Sequence, residues 1–145
     1  MHQRFFLAVA VALITACTPF QNPRPQAVLS TDPLVYLPEA QVESRTTSGE
    51  VETVRLRTYY ARTLGQLQDE LNRGLQSSQA TRKCSELVGL GDRPYLHLRL
   101  AASPNLDLTL RITPLDGHWL LGHSLFQAEL RRVPARFGLF GCPLD

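Results

Sequence analysis

His118 and His123, Cys84 and Cys142, and the carboxylates Asp107, Asp116 and Glu129 are the residues whose types can carry chemistry beyond packing. Two histidines can hold a metal ion or relay a proton. Their separation of five, however, sends them to opposite faces of a continuous strand, because strand side chains alternate with period two. They meet only across a bulge, for which Gly122 is suited. A small enzyme or metal-binding protein using His118 and His123 is therefore the alternative function. Asp116 falls in the turn Pro114-Leu115-Asp116-Gly117, and Asp107 and Glu129 need tertiary structure to approach each other. The chain contains no G-x-S-x-G, no H-E-x-x-H, no phosphate-binding loop and no dinucleotide glycine fingerprint. Neither a catalytic residue nor a metal or cofactor is expected.

A second kind of chemistry is recognition. Val54, Leu56 and Thr58 alternate with Arg55, Arg57 and Tyr59, while Leu96, Leu98 and Leu100 alternate with Tyr95, His97 and Arg99. Leu106, Leu108, Leu110 and Ile112 alternate in turn with Asp107, Thr109 and Arg111. By parity Arg55, Arg57, Tyr59, Tyr95, His97, Arg99 and Arg111 share the side away from the leucines. They form a candidate wet face for an acidic partner, balanced in part by Glu52 and Asp107. Basic and acidic residues number 15 and 13, which implies neither nucleic acid nor an anionic lipid surface as a target.

These residues need strands to hold them. Ala40 to Thr46 and Val51 to Tyr60 flank the turn-forming Thr47-Ser48-Gly49 and predict a hairpin. Leu64, Leu67, Leu71 and Leu75 recur at helical spacing behind a Thr63–Gln66 capping box, with Gly74 and Ser77-Ser78 weakening the far end. Tyr95 to Ile112 predicts a second hairpin turning at Ala102 to Asn105, and His118 to Val133 a further strand. Clean alternation marks an antiparallel sheet with one covered face. The expected fold is α+β: an antiparallel sheet of four or five strands, covered on one face by a single helix.

The N-terminus is of another kind. Arg4 precedes the apolar stretch Phe5 to Ala16, which is too short to span a bilayer, since about 20 residues are needed. Ile14-Thr15-Ala16-Cys17 resembles the lipobox of bacterial lipoproteins. That resemblance implies a signal peptide over 1–16 that is removed, lipidation at Cys17, and attachment to membrane through the N-terminal lipid. Thr18 after the cysteine, in place of the aspartate that marks inner-membrane retention, implies the periplasmic face of the outer membrane. Residues 17–34 carry Pro19, Pro23, Pro25 and Pro33 and read as an extended lipidated tether, with one domain over 35–145. In an exported chain Cys84 and Cys142 are then the two sulfurs left to pair, which predicts a disulfide Cys84–Cys142. Closing that loop is worth about 4 kcal/mol. Phe137, Leu139 and Phe140 are expected to plug the core beside it.

The order of hairpin, helix, Cys84, further strands and Cys142 resembles the pilotin lipoproteins that carry secretin subunits to the outer membrane in type II secretion. The likeness is one of topology over about 90 residues, and the interval between the cysteines is longer here. It implies a noncatalytic protein that binds or localises another envelope protein.

Overall fold

The alternating leucines of the second half pair with one another. Tyr95–Ser103 (β6) and Leu106–Leu115 (β7) run antiparallel, with Leu96 opposite Ile112, Leu98 opposite Leu110 and Leu100 opposite Leu108. All six are buried on one face, and each such side chain contributes about 1.5–3 kcal/mol on leaving water. The computed structural model describes residues 25–89, 93–115 and 122–136. Leu125–Pro134 (β8) pairs with β7 and with Val51–Thr58 (β4), bringing Ala128 between Ile112 and Val54 and Phe126 opposite Leu56. Ala40–Ser48 (β3) returns on β4 through Gly49-Glu50, where Gly49 takes φ +62°, a conformation glycine adopts without steric cost. Arg82–Val88 (β5) pairs with β6. The sheet order is β3-β4-β8-β7-β6-β5, all antiparallel.

A second layer closes the leucine face. Leu64–Ser77 (α1) starts on the predicted capping box: the Gln66 N–H donates to Thr63 Oγ1 at 3.1 Å, and the Thr63 N–H donates to Gln66 Oε1 at 2.9 Å. Leu67, Leu71 and Leu75 are buried and Leu64 packs against the core edge. Gln26–Thr31 (β1) and Leu34–Pro38 (β2) form a separate hairpin beside α1, sending Ala27, Leu29, Val35 and Leu37 into the same core. Gly74 lets the two pieces meet, since a Cβ there would lie 3.4 Å from the Tyr36 carbonyl oxygen. It is a contact glycine, and it still lowers the intrinsic propensity of the helix's far end, as expected.

Three expectations are corrected. The main sheet has six strands, not four or five. The helix shares its role as cover with the two-stranded β1–β2 sheet. Residues 26–31, inside the stretch read as tether, form β1. The physical reason is common to all three. β1, β2 and β5 are short, prolines 25, 33 and 38 bound the first two, and β5 is a polar edge, so none carries enough alternation to be seen alone.

Candidate partner-binding face

The strand register collects the seven predicted residues by side. On the face away from α1, one cross-strand row reads Glu86, His97, Arg111, Glu129, Thr53. A neighbouring row reads Thr113, Gln127, Arg55, Ser44, and another Leu115, Leu125, Arg57, Gln41. Arg99 stands opposite Thr109, and Thr109 opposite Arg131. Arg55, Arg111, Arg131 and Glu129 are exposed, and Tyr59, just past β4, is 44% exposed. Arg57 is half-exposed and its Nε lies 3.3 Å from Glu43 Oε1. The Tyr59 hydroxyl donates to Gln41 Oε1 at 3.1 Å. Glu52, expected to balance this face, belongs to the other one, where it binds Arg45.

The β6 part of the face is not wet. Tyr95, His97 and Arg99 are buried, at 8%, 5% and 0% exposure. Alternation fixes the side on which a residue stands; whether that side meets solvent depends on what else packs there. Arg111 crosses from the wet part to the dry part, its guanidinium 4.2 Å from the centre of the Tyr95 ring, a cation–π contact.

Arg99 is held by charge. Its Nε donates to Asp107 Oδ2 at 2.7 Å and its Nη2 to the Pro134 carbonyl at 3.0 Å. Lys83 Nζ lies 2.6 Å from Asp107 Oδ1 and donates to the Arg136 carbonyl at 2.9 Å. The Arg136 N–H donates to Asp107 Oδ2 at 3.2 Å. Asp107 and Arg99 are diagonal neighbours on the β6–β7 hairpin, while the register shift between Arg82 and Cys84 makes Lys83 the extra residue of a bulge, which re-aims its side chain. Burial pushes the Asp107 carboxyl up, but the hydrogen bonds from Lys83, Arg99 and the Arg136 N–H outweigh it and hold the group below its ordinary value. Two cations and one carboxylate, each hydrogen-bonded, make a fastening between β5, β6, β7 and the end of β8.

A second ionic group escaped the sequence. Arg62 Nε lies 2.6 Å from Glu70 Oε1 on α1, and Nη2 lies 3.6 Å from Glu39 Oε2 in the β2–β3 turn. The backbone of Arg62 is gripped as well: its N–H donates to Ser124 Oγ at 2.8 Å, and that hydroxyl donates to its carbonyl at 3.3 Å. Separations of 23 and 8 residues leave no local pattern to find it by.

The remaining sequence candidates divide. His123 is half-buried in the segment before β8. Asp107 is buried and Glu129 exposed, so they do not act as a carboxylate pair. Cys84 lies in β5 opposite Arg99. Cys17, Cys142, His118, Asp116 and the segment 137–141 lie outside the described residues. Among those residues no helix is long and apolar enough to cross a membrane. Protein-family models, curated proteins and solved structures offer no match to this chain.

Proposed function

We propose that the chain is an outer-membrane-anchored periplasmic lipoprotein, noncatalytic, that binds or localises another envelope protein in the manner of a pilotin or assembly factor. The lipobox Ile14-Thr15-Ala16-Cys17 supports the anchor. Binding is supported by one observation above all: Arg55, Arg57, Tyr59 and Arg111 project together from β4, its end and β7, exposed or half-exposed, beside Arg131. Their register neighbours Thr53, Thr113 and Gln127 are polar and half-buried. Such a face suits carboxylates, because arginine presents a planar fork of donors. Beside this face, the buried Arg99 and the partly buried Lys83 both bind Asp107. The bridge Cys84–Cys142 belongs to the same proposal, supported by these being the two sulfurs left to pair in an exported chain that begins at Cys17.

Site-specific photo-crosslinking in intact cells tests the binding. A crosslinker at Glu129, in the middle of the face, should give a discrete adduct that disappears with Arg55→Glu combined with Arg111→Glu. The same group at Gln76 on α1 should give none. Adducts from Gln76 alone, or an adduct from Glu129 indifferent to both arginines, would contradict the proposal.

A further inference from the structure

Backbone hydrogen bonds determine which groups of β3 are unused. The Thr58 N–H donates to the Ser124 carbonyl at 2.9 Å, toward β8, and the Tyr59 N–H donates to the Glu39 carbonyl at 2.9 Å, toward β3. Strand residues alternate in this respect, so even positions of β4 face β8 and odd ones face β3. Val51, Thr53 and Arg55 therefore exchange their backbone bonds with Ser48, Thr46 and Ser44, their register partners. Arg45 and Thr47, lying between, turn their N–H and C=O groups to the outer edge of the sheet. β3 is that edge.

The edge is open along Ser44–Ser48, where every residue is exposed and none is proline. The bulge between Val42 and Ser44 ends it on one side and Gly49 on the other. The opposite edge, β5, differs: five of its seven residues are partly buried and it carries Cys84 and Lys83. Edge strands with unpaired backbone groups template the addition of a further strand.

Charge specifies what would be added. Arg45 is paired with Glu52, and Arg57 with Glu43. Among the described residues Arg55 has no ion-pair partner, is exposed, and stands directly behind Ser44. Neighbouring strands are about 4.8 Å apart, so an added strand would run about 10 Å from Arg55 with only a serine side chain between. A long guanidinium side chain and an acidic one facing it can close that distance.

We infer that the open edge of β3 takes an extended acidic segment of the partner as a seventh strand, with a carboxylate of that segment on Arg55. This rests on the proposed partner-binding function and names the chemistry of the partner at that face.

The test uses the full mature chain in detergent and, as probe, a ten-residue peptide alternating Glu with Val, against its Lys–Val counterpart. Amide hydrogen exchange should show Arg45 and Thr47 protected at least tenfold by the Glu peptide, and the Glu peptide should bind at least tenfold more tightly than the Lys peptide. Arg55→Glu should erase that preference. Thr47→Pro removes only an outward N–H, which an edge strand tolerates, and should abolish binding with the circular dichroism of the fold retained. Were Thr47→Pro to unfold the chain, the exchange of the wild-type amides still decides. Binding that leaves the Arg45 and Thr47 amides unprotected would overturn strand addition while leaving the face as a binding surface. Protection of the same amides without peptide, rising with protein concentration, would put a second copy on the edge and equally overturn it. No binding of either peptide would do the same, and the Glu129 crosslink would then stand or fall by itself.

Discussion

Replacing Asp107 by alanine would remove the carboxylate shared by Arg99, which has no exposed surface, and the partly buried Lys83. Losing one partner of a buried ion pair costs about 3–5 kcal/mol, so Asp107→Ala should lower unfolding stability by that order in urea titrations at pH 7. The carboxyl is held below its ordinary value in the folded chain. Its contribution is therefore complete above the unfolded value of about 3.9 and is lost as pH falls through the depressed folded one. Comparing urea midpoints at pH 7 and pH 3 should show a larger acid loss in wild type than in Asp107→Asn; equal losses would mean the cluster does not set the acid limb. Sequence parity put Arg99 and Asp107 on the correct side of the sheet. It could not reveal that the Pro134 carbonyl and the Arg136 N–H, 35 and 29 residues further on, join them in hydrogen bonds.

Among the elements, α1 and the hairpins β3–β4 and β6–β7 were legible because each carries its own signal: a capping box with leucines at three and four, a Gly49 turn, unbroken alternation. The elements that escaped are those whose stability comes from elsewhere. β1 and β2 contribute two core residues each, Ala27 with Leu29 and Val35 with Leu37, and exist by packing on α1 and the sheet. Gly74 lies in that packing, against Tyr36. Gly74→Ala places a methyl in ordinary contact with Tyr36 and gains about 0.8–1 kcal/mol of helix propensity, so thermal unfolding should be unchanged or slightly higher. Gly74→Leu must push the β1–β2 hairpin away and should cost about 1–3 kcal/mol as an overpacked contact. A Gly74→Leu variant melting with wild type would mean the hairpin does not bear on the helix as described.

At the scale of the whole molecule, a six-stranded sheet carries a helix and a hairpin on one face and an arginine surface on the other. β8 lies between β4 and β7 although 67 residues separate Thr58 from Leu125, a long-range pairing that no local pattern announces. A bridge from Cys84 to Cys142 would tie the chain's last segment to edge strand β5. Cys84→Ser and Cys142→Ser should each cost about 2–5 kcal/mol and match the double variant, because either one breaks the bond. Non-reducing peptide mapping that found both thiols free would reopen cysteine chemistry. Everything proposed about partner and location depends on how the chain is held in the envelope, and the intact mass of the mature protein from purified outer membranes tests that most directly. The predicted mass is that of a chain beginning at Cys17 with a diacylglyceryl group on sulfur and a third acyl chain on nitrogen, and Cys17→Ser should lose both lipid and membrane fractionation with its fold intact. A mature chain without lipid, or one still carrying residues 1–16, would contradict the account.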